Sequence, residues 1–360
     1  MRFWTGARGA DMGADGTGIG AITAGDADSP LASGDLALRG LAVEAPSPTW
    51  LARHPHLDVV YAALEGSGRV GAYRRTGEES LTPLGKTVPA GEAVCHLAVA
   101  PDGTCLIASC WGDGRVVHIP LGADGSLDKP SLAPAAEDPY RAVVSQAAPS
   151  GFLLSEEPNE EEERPTRAHA AAFLPDGRVA TTDLGYDLVR IWRLGTRGLV
   201  PDHQIVFPHG VGPRHMFVHP SGHLHVVTEF SCEVFTLAPD RAGAWRIVSA
   251  CPAGGLLGDT AAELTASRDR QFVYAGLRGE SNAIAVLRVE GNGESLRPIA
   301  TADSGISVPR HHVIVRDALL VAGQNSNAIV SLSLDERTGL PGRVRHRLEH
   351  PTPQHILPIG

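Results

Sequence analysis

Five histidines recur along the chain at a nearly fixed interval. They lie in Val94-Cys95-His96, Arg167-Ala168-His169, Pro213-Arg214-His215, Pro309-Arg310-His311 and Pro353-Gln354-His355. Ser47-Pro48-Thr49 and Ala261-Ala262-Glu263 fall in the same phase, so the steps from Thr49 to His355 are 47, 73, 46, 48, 48 and 44 residues. An imidazole titrates close to neutral pH and can give or take a proton there. Several of them on one ring, with a carboxylate and arginines beside them, could carry general acid–base chemistry on a small anionic molecule.

The elements that would gather them are hairpins. After His215 an apolar run is broken by Pro220-Ser221-Gly222 and resumes at Leu224. Proline presets φ and glycine tolerates positive φ, so the chain turns there. The turn midpoint lies seven residues from both His215 and Glu229, which returns Glu229 to the level of His215. The same arithmetic pairs His169 with Asp183 and His96 with Cys110; it nearly holds for Glu263, where Arg278 comes fifteen residues on, and at His311 Gln324 or Asn325 returns. Third strands follow at Arg69–Tyr73, Arg115–Ile119, Leu188–Trp192, Glu233–Leu237, Ala283–Leu287 and Ala328–Leu332, rich in β-branched or alternating residues. Weaker fourth strands pass through Leu81–Val88 and Asp202–Phe207.

Short strands repeating about every 45 residues read as one blade per repeat. The chain ends on a first strand, residues 353–357, and begins on a second strand, residues 2–7. Joining the two completes a blade and leaves no open sheet edge. The expected fold is therefore all-β: one seven-bladed β-propeller domain spanning residues 1–360, with four-stranded blades and a ring closed by the C-terminal strand. The 73-residue step carries an insertion at about 134–165, rich in glutamate. It reads as an acidic, solvated loop leaving the rim that bears the histidines, with a lid as the functional alternative.

The net charge of −10 argues against a nucleic-acid partner, which needs a basic face. No apolar stretch approaches the ~20 residues that span a bilayer, and no apolar signal region follows Met1-Arg2-Phe3-Trp4. The expectation is a cytoplasmic protein without a membrane partner, monomeric or weakly homo-oligomeric. Five cysteines, an odd number, read as reduced thiols filling core space. His219, His223 and His225 mimic a zinc spacing, but a strand–turn–strand scatters such rings, so they are expected on the surface and no metal is assigned.

Several motifs resemble the seven-bladed propeller lactonase family. They are Gly212-Pro213-Arg214-His215 with Glu229 downstream, Cys95-His96, Asp183-Leu184-Gly185-Tyr186-Asp187, Gly323-Gln324 and the opening Phe3-Trp4-Thr5-Gly6. That family includes propeller-type 6-phosphogluconolactonases and enzymes that cyclise carboxymuconate. The resemblance runs nearly end to end. It implies a catalytic set of His169, Arg214, Glu229 and Arg278. His169 or Glu229 would activate water, and Arg214 and Arg278 would hold an oxyanion or an anionic group of the substrate. His96, Asp183, Asp187, His215, Arg310, His311, Gln324 and His355 are the candidates for substrate binding. For the four histidines among them the alternative is architectural, a bond to the neighbouring blade's backbone. For one of Asp183 and Asp187 the alternative is a cap on its own turn.

The function implied is a lactone hydrolase needing no cofactor, acting on a sugar lactone, most directly 6-phosphogluconolactone. The alternatives are a cycloisomerase acting on a polycarboxylate and a non-catalytic propeller scaffold.

Overall fold

The computed structural model describes residues 1–25, 34–141 and 164–359. Their strands form seven antiparallel sheets. Blade 1 runs Pro353–Pro358, Arg2–Ala7, Gly18–Ala24 and Leu36–Glu44, from inside outward. The next innermost strands are Pro48–Arg53, Val94–Val99, Ala168–Phe173, Pro213–Val218, Thr260–Ala266 and Pro309–Val315, in blades 2 to 7. The C-terminal strand pairs with Arg2–Ala7, Trp4 opposite Leu357, and so closes the ring. The acidic insertion falls mostly outside the described residues. In blade 2 the fourth strand is split into Leu81–Pro83 and Val88–Pro89, both paired with Arg69–Arg75.

Packing between blades explains the patterns along the strands. Second strands are covered on both faces by neighbouring blades, so Val59–Leu64, Cys105–Cys110 and Ala318–Gly323 are buried throughout. Outermost strands face water on one side and alternate, as in Trp245–Pro252. The core is a series of inter-blade layers. In one, Val189, Ile191 and Phe207 of blade 4 meet Met216, Val226 and Phe235 of blade 5. The Pro-Asp-Gly turn at 175–177 places Gly177 at φ 82, a conformation costly to any residue with a Cβ. All five cysteines are unpaired thiols, and four of them are buried.

One irregularity recurs in all seven blades. Near its start each innermost strand carries one residue more than its partner strand. Pro213 pairs with Thr228 and His215 with Val227, leaving Arg214 over. Pro309 and His311 leave Arg310, Pro353 and His355 leave Gln354, and Pro48 and Trp50 leave Thr49. Cys95 is left over in blade 3. In blade 4 His169 and Ala170 together oppose Thr182, and in blade 6 Ala262 and Glu263 oppose Gly276. Such a bulge bends the strand and re-aims its side chains. Two residues ahead of the bulged residue the chain turns through positive φ, at Ser47, Ala93, Gly212, Val308 and Thr352.

Candidate active site

The bulges sort the axial residues into layers. The mouth is set by the residue that follows the second-strand partner of the residue before each bulge: Arg8, Glu65, Trp111, Leu184, Glu229, Arg278 and Gln324 in blades 1 to 7. Gln324 remains half-buried at this rim. The middle layer is the bulged residue itself, which includes His169, Arg214 and Arg310. The floor is the next residue inward: Trp50, His96, Ala170, His215, Glu263, His311 and His355.

This register corrects the phase read from sequence. Trp50, not Thr49, is the counterpart of the histidines in blade 2. His169 belongs one residue earlier, with Arg214 and Arg310, and Ala170 takes the floor position. Trp111 and Leu184 hold the mouth positions expected of Cys110 and Asp183. Alignment on the prolines would have found Trp50, because Pro48, Pro213, Pro309 and Pro353 each precede the floor residue by two. Arg8, Glu65 and Trp111 were missed as well. No returning residue was read for the hairpins of Thr49 and His355, and at the His96 hairpin the return was placed one residue early, on Cys110.

At the mouth Glu229 is clamped between two arginines. Arg214 Nε donates to Glu229 Oε2 at 2.6 Å, and Arg278 Nη2 lies 3.0 Å from Oε1. Arg278 also donates to the Ala261 carbonyl at 3.1 Å. Burial alone would raise the Glu229 pKa, but Arg214, Arg278 and Arg310 outweigh it and hold the carboxyl below its ordinary range. Burial, with Arg278 and Arg310 nearby, pushes Arg214 down to about 9. His169 is buried, with an unpartnered Nδ1. Burial first, then Arg214 and Arg310, holds its pKa well below that of a free imidazole, so it is neutral at pH 7. Thr182 ties it to Arg214: the Thr182 hydroxyl accepts from Ala170 N at 2.9 Å and donates to the Arg214 carbonyl at 2.8 Å. The structure thus brings His169, Arg214, Glu229 and Arg278 together around the axis.

A profile described as "Lactonase, 7-bladed beta-propeller" matches residues 14–358. The chain belongs to the seven-bladed β-propeller lactonase family. A protein of Bacillus subtilis (strain 168) named 6-phosphogluconolactonase is 28% identical over 312 residues, 83% of each chain. One of the same name from Erwinia tasmaniensis is 27% identical over 78% of this chain and 92% of its own. Among solved structures, a putative 6-phosphogluconolactonase of Bacteroides fragilis superposes with TM-score 0.82 at 19% identity, covering 99% of this chain and 96% of its own. The periplasmic gluconolactonase PpgL of Pseudomonas aeruginosa gives 0.77 at 20%, covering 99% and 98%. These two likenesses concern the fold. No helix among the described residues is long and apolar enough to cross a membrane.

Below the charged layer this lactonase-family propeller has a largely buried polar floor. The Trp50 ring lies 4.3 Å from His96, 5.3 Å from His215, 5.6 Å from His311 and 4.2 Å from His355, centre to centre. Two of these imidazoles bridge blades: His96 Nδ1 accepts from Ala171 N and His311 Nδ1 from Ile356 N, both at 3.3 Å. Burial drives His96 and His355 down to about 3, so they stay neutral. Glu263 is buried among them, its Oε1 3.1 Å from His215 Nδ1 and its Oε2 3.8 Å from His311 Nε2. His215 Nδ1 makes no hydrogen bond of acceptable geometry despite that distance. Burial raises Glu263 to about 8 against the pull of Arg214 and Arg310, so a neutral acid predominates at pH 7.

Three expectations are corrected. Asp183 and Asp187 are buried and bind backbone rather than the axial space. Asp183 accepts from the amides of Arg167, Gly185 and Tyr186 and from the Thr166 hydroxyl. Asp187 accepts from Gly210 N and Gly212 N, each at 2.8 Å, and pairs with Arg164. It thereby anchors the loop that delivers Arg214. Of the three histidines expected on the surface, His225 and His219 are buried. His225 bonds Thr236 Oγ1 at 3.0 Å and stacks near Phe217, while His219 and His223 share the Ser221 hydroxyl. The second strand they border is covered on both faces, which the local turn signal did not reveal.

Proposed function

We propose that this chain hydrolyses a sugar lactone at the axial mouth, with 6-phosphogluconolactone as substrate. The observation that carries the reading is the Glu229 carboxylate held between Arg214 and Arg278, with its side chain 20% exposed. Each carboxylate oxygen has two lone pairs and spends one on a guanidinium, leaving the other for water. Glu229 orients that water and takes its proton as oxygen attacks the lactone carbonyl carbon. The carbonyl oxygen becomes an oxyanion facing Arg214 and Arg278. Its collapse breaks the ring C–O bond, and the departing alkoxide takes up the proton. A carboxylate held below its normal pKa is a weak base, so most of the rate must come from stabilising the oxyanion. An activated ester such as a lactone suits that division. His169, neutral beside Arg214, supplies a hydrogen bond to the substrate without adding charge.

The named function of the Bacillus subtilis relative supports the choice of substrate. The test follows acid release from the lactone at pH 7, corrected for spontaneous opening. Wild-type protein should accelerate it, and Glu229→Gln and Arg214→Ala should each lower kcat/KM by about 100-fold or more. No acceleration, or full activity in both variants, would overturn the assignment. Three guanidinium groups around one carboxylate also favour a polycarboxylate, the substrate of the cycloisomerase reading. An ultraviolet assay on muconates separates the two.

A further inference from the structure

The charge around the mouth is unevenly distributed. Blades 5, 6, 7 and 1 contribute Arg214, Arg278, Arg310 and Arg8, whereas blades 3 and 4 present Trp111 and Leu184, with Arg167 stacked on the Trp111 ring and bonded to the Trp111 and Gly112 carbonyls. Arg214 and Arg278 are ion-paired with Glu229, although the buried Arg278 Nε has no partner. Arg310 is not. It is half-buried and, among the described residues, has no hydrogen bond and no carboxylate within ion-pair distance. Its charge is nevertheless felt by Arg8, Arg214, Arg278 and Glu229, so it lies within the same axial space. Arg8, on the adjoining blade, reaches Glu65 only at 4.0 Å, and its Nε is buried without a partner. Burial and then Arg310 depress its pKa.

Two guanidinium groups held near one another with few compensating bonds are unfavourable unless an anion joins them. Four arginines here face two carboxylates, Glu229 and Glu65, because the buried Glu263 is mostly protonated at neutral pH. The surplus of positive charge suits a dianion. Guanidinium also matches phosphate in geometry, through paired N–H donors. We propose that Arg310 and Arg8 form an anchoring subsite for a phosphate monoester, distinct from the Arg214–Glu229–Arg278 centre, and set the preference for phosphorylated over neutral lactones. The assignment rests on the lactonase reading above. In a sugar lactone the phosphate hangs from the carbon outside the ring, away from the carbonyl. One guanidinium pair cannot serve both ends, and two subsites on neighbouring blades can.

The experiment compares 6-phosphogluconolactone with unphosphorylated gluconolactone in wild type, Arg310→Ala and Arg8→Ala. Arg8 is partly exposed at the mouth, so its variant remains informative should Arg310→Ala fold poorly. The ratio of kcat/KM for the phosphorylated over the neutral lactone should fall at least tenfold in each variant, chiefly through KM. Equal losses on both lactones, or a wild type without preference, would overturn the subsite. If wild type accelerates neither lactone, the lactonase reading fails, and calorimetry with 6-phosphogluconate judges the subsite separately. Binding by wild type that both variants lose would uphold it, and no binding by wild type would overturn it.

Discussion

The mouth and the floor of the axial funnel come from the same repeat, yet they hold opposite kinds of polarity. At the mouth Glu229, Arg214 and Arg278 are charged and paired, and Glu229 and Arg278 are partly exposed. At the floor four imidazoles pack around Trp50 without charge, and Glu263 keeps its proton at neutral pH. The difference follows from solvation. A charge survives where partners and water compensate it, and is neutralised where neither reaches. The arrangement also serves the proposed chemistry. A neutral, largely buried floor screens little, so the arginines act on a developing oxyanion through a lower effective dielectric than water offers.

The largest test removes the frame common to both layers. Deleting residues 351–360 takes away the inner strand of blade 1 and with it His355, opening the ring. The product should be aggregated or unfolded in gel filtration and circular dichroism. A soluble, fully active truncation would sever the layers from ring closure.

Next comes the mouth. Arg214→Lys keeps a positive charge but lacks the guanidinium fork. It should lower kcat/KM on the lactone by about 100-fold while moving the urea midpoint little. Wild-type kinetics in this variant would mean that charge alone suffices there.

At the floor the effect should reverse, with stability lost and chemistry largely kept. Trp50→Ala removes the ring against which four imidazoles pack. It should cost about 3 kcal/mol in urea unfolding, with kcat per folded molecule reduced far less than in Arg214→Lys. A large kcat loss without destabilisation would erase the distinction between the layers.

The smallest effect is in pH dependence. Glu263 titrates near 8 when folded, above its unfolded value of about 4.3. The folded state therefore binds the extra proton between those values, and this contribution is lost as pH rises towards 8. The buried histidines act in the opposite direction. Their folded pKa values are depressed, as at His96 and His355, so stability falls as pH drops below about 6.5. Urea midpoints should thus peak near neutral pH. Glu263→Gln should flatten the decline between pH 6.5 and 8 and steepen the acid limb between about 4.3 and 6.5, where the carboxyl opposes the histidines. An unchanged alkaline slope in that variant would show that Glu263 is not the group responsible.

The sequence carried the architecture well because its determinants are local and repeated. Turn residues, strand spacing and the unpaired strands at 2–7 and 353–357 each bear on backbone geometry close by in the chain. The pairing of Glu229 with the Arg214–His215 hairpin was legible for the same reason, since one turn fixes the distance. Trp50 and His169 were each misplaced by one residue, because a bulge shifts register without changing the repeat length. Asp187 looked available for substrate because its partners, Gly210 and Gly212, lie in the connection to the next blade. The chain by itself determined which residue types recur, where it turns and how the ring must close. Only the folded molecule decided which groups are charged, and that Arg8 and Glu65 join the mouth. Ionisation depends on burial and on neighbours from other blades, and these exist only once the ring is assembled.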